Sequence, residues 1–338
     1  MQEDREIRTD YPEAGYSIKD HWITTMNTFG KNGIPFLFIL DFDLQHPVVI
    51  PLGDITPDRF QFSFPSKGKV MLAASSQHEI HLKKDPVTFP VYQSGFDSVM
   101  KAIHDGDTYL LNLCYTTPVS GISSLKDVFD VAQAPYKLWW PGKFVVFSPE
   151  SFVSMADGMI RTYPMKGTID ASIPGSEMTL LNDVKEQEEH ATVVDLLRND
   201  LSMVASQVTV ERYRFVTTIH TRGKILLQTS SEISGVLPSD YQSHLGDIMN
   251  TLLPAGSVTG APKKKTVELI KSIEPEPRGY YTGVFGIWDG RQLESAVMIR
   301  MIEQREDGFF YRSGGGITYR STAASEYQEM IDKVYVPF

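Results

Sequence analysis

The chain reads as an α+β protein built on large, mainly antiparallel sheets, packed as a sandwich with helices on the outside. Three observations lead there. Short β-rich runs follow one another across turns marked by Gly and Pro, helical stretches fall between groups of strands, and no strand runs into a dinucleotide-type glycine motif. Strands joined by tight turns pair antiparallel, because a parallel pair needs a long crossover.

In order, GIPFLFILDFD (33–43) and PVVIPL (47–52) predict two short strands, and β-rich runs recur at KVMLAAS (69–75), YLLNLCYTT (109–117), KFVVFS (143–148), SFVSMA (151–156) and MIRTYPM (159–165). A helix is predicted over 180–201. Strands follow at VTVERYRFVTTIHT (208–221) and GKILLQTSSEISGVL (223–237), then a helix over 263–273. YYTGVFGIWDG (280–290), SAVMIRMIEQRE (295–306) and GFFYRSGGGITY (308–319) read as strands, and 322–334 as a last helix. With no fixed-period repeat and no low-complexity linker, 1–338 is expected to form a single unit.

Composition narrows the function classes. Of 338 residues, 41% are hydrophobic and 22% charged, which is globular and sufficient for a large core. The net charge of −10 and the scattered Lys and Arg disfavour a nucleic-acid partner. The N-terminus, MQEDREIRTD, is acidic where a signal peptide is basic and then apolar, and FLFIL (36–40) is too short to span a bilayer. A soluble, cytoplasmic protein without a membrane partner is expected. The lone cysteine, Cys114, excludes an internal disulfide and a cysteine-rich metal cluster.

Candidate chemistry begins with Lys166 in TYPMKGTID. Pro164 fixes φ before it, and Gly167 after it lets the backbone approach a ligand closely. A lysine placed there can attack an electrophile if it is partly neutral at working pH, which an ion pair with a carboxylate opposes. A solvent-exposed lysine in a turn is the alternative.

Two helices carry paired acids. Glu186 and Glu189 share one face of the 180–201 helix, whose buried side is expected to hold Val193, Val194, Leu196 and Leu197. Glu326 and Glu329 repeat the spacing in the last helix, with Lys333 four residues beyond Glu329. Converging, the four would suit a hard divalent cation, magnesium best, through one direct ligand from each pair. Solvated helix faces are the alternative. Gly314, Gly315 and Gly316, just upstream of the last helix, can bring main-chain N–H groups against an anion, or simply form a glycine-rich hairpin.

From Phe96 to Pro337 the chain resembles the chorismate-using enzymes, which comprise anthranilate, aminodeoxychorismate, isochorismate and salicylate synthases. The resemblance runs through GDTYLLNL, SPESFV, PMKGTID, EEHATVVDLLRNDL, LPAGSVTGAPKKKTVELI, RGYYTGVFG, SAVMIRM and SGGGITYRSTAASEYQEMIDK, in that family's order. Residues 1–95 match less well, and no LLES-like segment of the kind that marks a tryptophan pocket is present. The resemblance implies an anthranilate-synthase-like fold and a chorismate substrate.

Within that family, a lysine at the position of Lys166 marks the large subunits of aminodeoxychorismate synthase, where anthranilate and isochorismate synthases carry alanine. The resemblance therefore implies amination of chorismate at C4, without loss of pyruvate, on the route to para-aminobenzoate and folate. It implies Glu189 and Glu329 as direct magnesium ligands and Glu186 and Glu326 as supporting acids. Arg300, Tyr281, Lys333 and the backbone of Gly314 to Gly316 would bind the enolpyruvyl carboxylate. Gly167, Thr168 and His220 would line the ring, Glu150 would be the general acid, and Lys166 the covalent nucleophile. Leu110 stands where isochorismate and salicylate synthases place a water-activating lysine, and Ala323 where proline is frequent. Ammonia would come from a separate glutamine amidotransferase subunit, since Cys114 sits in a strand-like run. An anthranilate synthase component, or a non-catalytic chorismate-binding scaffold subunit, is the competing expectation.

Overall fold

Along the strand Phe36–Leu40 every side chain is buried, because alternate residues feed two different cores. Phe36, Phe38 and Leu40 join a layer of helices with Met26, Leu197, Leu245 and Met249, whereas Leu37 and Ile39 join Leu138, Phe144 and Val146 of a second sheet. The period of two along a strand makes this sheet the middle layer.

The computed structural model describes residues 21–67, 80–220 and 225–337. Among these, the first sheet runs Met165–Asp170, Ile225–Val236, Met159–Thr162, Ser151–Ala156, Leu293–Val297, Val284–Trp288, Phe36–Leu40, Val48–Pro51. Ser206–His220 pairs with Ile225–Val236 as well. The second sheet runs Gly260–Ala261, Leu110–Ser120, Gly308–Ile317, Met301–Arg305, Phe144–Ser148, Tyr136–Trp140, Gln61–Ser63, and Lys83–Lys84 pairs with Leu110–Ser120. Every described pairing is antiparallel.

The helices among the described residues are α1 (Trp22–Lys31), α2 (Phe89–His104), α3 (Leu125–Val131), α4 (Ser176–Asn182), α5 (Val184–Ser202), α6 (Leu245–Leu252), α7 (Lys263–Ile273) and α8 (Ala323–Asp332). α1, α5 and α6 cover the outer face of the first sheet. α3 covers Val145, Phe147 and Tyr311 on the second sheet, and α2, α7 and α8 pack around Leu111, Leu113, Tyr115 and Ile317. The predicted sandwich of antiparallel sheets with outer helices is the architecture found. None of the described helices is long and apolar enough to cross a membrane.

Several predicted elements divide. The helix over 180–201 breaks at Asp183, whose extended backbone and side chain, accepting from the Glu186 N–H at 3.0 Å, start α5 afresh. The run 159–165 ends at Thr162, and a new strand begins at Met165. The run 295–306 crosses between the sheets, with Arg300 at φ +54° between Leu293–Val297 and Met301–Arg305. KVMLAAS lies outside the described residues. No helix was expected at 89–104, yet Tyr92, Phe96, Val99 and Ala102 give α2 a buried face; Gly95 and Pro90 mask that periodicity. Residues 22–51 supply α1 and the first sheet's strands Phe36–Leu40 and Val48–Pro51, with Phe36–Leu40 paired to Val284–Trp288.

Candidate active site

The two crossings between sheets place the first two site residues. Pro149 and Glu150 link Phe144–Ser148 of the second sheet to Ser151–Ala156 of the first, while 298–300 link the sheets in the opposite direction. Backbone bonds tie the crossings together: the Phe147 N–H donates to the Arg300 carbonyl at 3.0 Å, and the Val297 N–H to the Glu150 carbonyl at 3.1 Å. Glu150 and Arg300 are thereby fixed at neighbouring corners. The Ser257 hydroxyl donates to Glu150 Oε1 at 2.6 Å. Burial pushes the Glu150 carboxyl above its usual range, against the opposing pull of the Ser257 bond and of Lys166, Lys333 and Arg300.

Lys166 is the second residue of the edge strand Met165–Asp170. Its register with Ile225–Val236 slips at Gly167: Lys166 faces Thr229 and Thr168 faces Gln228, so Gly167 is an extra, bulged residue at φ +73°. The bulge re-aims the lysine. A Cβ on Gly167 would lie 2.9 Å from Leu180 Cδ1 and 3.1 Å from Glu186 Oε2, so only glycine admits the acid this close. The Thr229 hydroxyl holds the Lys166 carbonyl. Lys166 Nζ lies 3.5 Å from Glu189 Oε2 and 3.7 Å from where a Cβ on Gly316 would sit.

The four acids come from α5 and α8 and meet across the cavity, interleaved with lysines. Lys185 Nζ is 3.6 Å from Glu189 Oε1 and 3.4 Å from Glu326 Oε1; Lys333 Nζ is 2.6 Å from Glu329 Oε1 and 2.8 Å from the Gly314 carbonyl. Burial raises Glu186, with Glu189 adding to the effect, and burial likewise raises Glu326. Burial also pushes on Glu329, but Lys333, with Lys166 and Lys185, outweighs it and holds that carboxyl below its ordinary value. Among the described residues no three acidic, histidine or cysteine side chains form a ready-made metal cage. The donor chemistry nevertheless fits a hard divalent ion, and Glu189 Oε1 is buried with no hydrogen-bond partner.

These residues line one cavity of about 520 Å³. Of the residues singled out from sequence, Lys166, Glu150, Gly167, Thr168, Tyr281, Arg300, Gly314, Gly316, Lys333, Glu186, Glu189, Glu326 and Glu329 all face it. Thr168 is contacted by the Gln228 amide at 3.4 Å. Arg300 lies 5.2 Å from the Tyr335 ring centroid and donates to the Lys333 carbonyl at 3.2 Å. Gly315 lies off the cavity wall, where a Cβ would come within 3.3 Å of Glu326 Oε2; its bareness admits the α8 acids. His220 ends the strand Ser206–His220, and its side chain is outside the described residues.

Sequence reasoning missed Lys185, Ser257, Asn112 and Gln228, which line the same cavity. Lys185 was detectable by its place four residues before Glu189. Ser257 lay inside the quoted LPAGSVTGAPKKK segment without a role. Leu110 is buried behind Gly316, its Cδ1 2.9 Å from the site of a Gly316 Cβ.

Residues 59–337 match the family described as chorismate binding enzyme. The chain belongs to that family. It is 47% identical over 321 residues to an uncharacterized PabA-like protein of Haemophilus influenzae, covering 95% of this chain and 98% of that one. It is 31% identical over 320 residues to an anthranilate synthase component 1 of Haloarcula marismortui, covering 85% and 61% of the two chains. It is 30% identical over 257 residues to aminodeoxychorismate synthase component 1 of Klebsiella aerogenes, covering 72% of this chain and 56% of that one. The menaquinone-specific isochorismate synthase MenF of Escherichia coli shares the fold, with TM-score 0.72, 17% identity and coverage of 95% and 82%.

Proposed function

We propose that the chain is an aminodeoxychorismate synthase component I: it replaces the 4-hydroxyl of chorismate with an amino group, giving 4-amino-4-deoxychorismate for para-aminobenzoate and folate synthesis. The observation that carries this reading is Lys166, aimed by the Gly167 bulge into the cavity that also holds Glu150. Relatives of both the anthranilate and the aminodeoxychorismate kind stand at similar identity, so the choice rests on this lysine.

In this reading the neutral Lys166 amine adds at C2, the ring double bond shifts, and the C4–O bond breaks. Glu150, whose carboxyl burial raises, gives its proton to the departing hydroxyl, which leaves as water. Ammonia then adds at C4 and expels the lysine, so two displacements replace one difficult step. Arg300, Tyr281 and Lys333 take the enolpyruvyl carboxylate, for which the guanidinium fork is suited. Glu189 and Glu329 would hold magnesium, steadied by Glu186 and Glu326. A divalent ion held there would supply positive charge to offset the ring carboxylate. Leu110, behind Gly316, supplies no amine of the kind that activates water in isochorismate and salicylate synthases.

Ammonia is supplied by a glutamine amidotransferase subunit. What supports a separate source is Cys114: it is buried, and burial pushes its thiol up to about 11, unlike an exposed nucleophile. The test is to incubate the chain with chorismate, magnesium and ammonium and identify products by mass. Aminodeoxychorismate without pyruvate is expected; anthranilate with pyruvate would assign the other reaction, and no turnover at any ammonium concentration would leave a binding subunit.

A further inference from the structure

Lys185 touches the acids of both helices. Its ammonium lies 3.6 Å from Glu189 Oε1 on its own α5 and 3.4 Å from Glu326 Oε1 on α8. Both oxygens belong to acids that burial makes costly to leave alone: Glu326 is 2% exposed, and Glu189 Oε1 has no hydrogen bond. Lysine four residues before glutamate is the weaker order for a pair on one helix, so stabilisation of α5 by itself does not account for the placement. The Lys185 side chain is 39% exposed, so its flexible stem can carry the charge out to water without disturbing the core.

Lys166 and Lys333 also pair with acids of the cluster, with Glu189 and Glu329 respectively. Both have a second task in the proposed reaction, as nucleophile and as carboxylate ligand. Lys185 has none, and its ammonium stands between one proposed metal ligand and one supporting acid.

We propose that Lys185 is a displaceable counter-cation: it holds the place between Glu189 and Glu326 in the metal-free protein, and a divalent cation binds by evicting it. The inference rests on the magnesium site proposed above. Two consequences follow. Lys185 keeps the acids of α5 and α8 from repelling one another while no metal is present, and it weakens metal binding because two cations compete for the same oxygens.

The test is calorimetric titration of magnesium chloride into the full chain, without chorismate, as wild type, Lys185→Met and Lys185→Arg. Lys185→Met is expected to bind magnesium more tightly by roughly tenfold or more, and to melt at lower temperature when metal-free. Lys185→Arg, which keeps the charge, binds no more tightly than wild type. In wild-type protein, acetylation of Lys185 by an amine-reactive reagent, read by peptide mass, rises on adding magnesium; this measurement stands even if the methionine variant does not fold. Equal or weaker magnesium binding by Lys185→Met, or acetylation indifferent to magnesium while Glu189→Gln still abolishes binding, overturns the inference and spares the metal site. Magnesium bound by none of the three proteins overturns both.

Discussion

Lys166 Nζ and Glu189 Oε2 lie 3.5 Å apart, so the proposed nucleophile and a proposed metal ligand share one ion pair. In the proposed reaction the amine must leave this contact to reach the substrate, so the nucleophile and the metal ligand are coupled by position. Replacement of Lys166 by Ala is expected to abolish amination. With ammonia withheld, wild-type protein should carry a substrate-sized mass on the peptide containing Lys166, absent from the variant. Amination surviving Lys166→Ala would remove the assigned role.

Glu150 sets a pH dependence. Its carboxyl is raised by burial, and the protonated form is the active one, so kcat/KM is expected to fall as pH rises through the raised value. Glu150→Gln should lose that limb together with about 10²- to 10⁴-fold of the rate. Ser257→Ala removes the hydrogen bond that favours the anion, which moves the limb to higher pH. A limb moving the other way would mean that Ser257 does not act through Glu150.

Glu326 links pH to stability. Its folded value lies above the ordinary 4.5, chiefly through burial, so its stabilising effect is complete below that ordinary value and is lost as pH rises through the folded one. Thermal melts without divalent cations should show wild type losing stability relative to Glu326→Gln as pH increases from about 4.5. Parallel melting curves for the two proteins across that range would contradict the assignment.

Gly167→Ala combines a strained φ with a Cβ pressed toward Leu180 and Glu186. A left-handed non-glycine residue costs about 1–2 kcal/mol, and the crowding adds to it. Denaturant unfolding should register that loss, and kcat should drop because Lys166 is re-aimed. A neutral effect on both would show that the bulge tolerates a side chain.

Cys114 is expected to resist iodoacetamide at neutral pH until the protein is unfolded, because the thiolate is scarce and the sulfur buried. The same protein should use ammonium and leave glutamine intact. Glutamine hydrolysis by the chain alone would end the two-subunit proposal.

Much of the fold was legible because strand periodicity and glycine–proline punctuation are local signals. α7 appears over Lys263–Ile273 where it was expected, and Leu110–Ser120 and Gly308–Ile317 lie close to their predicted runs. What local signals did not disclose were the breaks: Asp183 caps a new helix inside an apparently continuous one, and Arg300 turns the chain from one sheet to the other inside an apparently continuous strand. Each break is decided by what the two halves pack against, which a short window of sequence does not contain.

By itself the sequence determined the α+β class and the pairing of acids along each helix, since these follow from spacing, whereas Glu150, Tyr281 and Arg300 were singled out only by the resemblance to the chorismate-using enzymes. Only the tertiary structure decided that Lys185 reaches Glu326, 141 residues away, and that Ser257 holds Glu150. Ion pairs and hydrogen bonds depend on distances of a few ångströms between elements remote along the chain. Those distances exist only once the sheets and helices have packed.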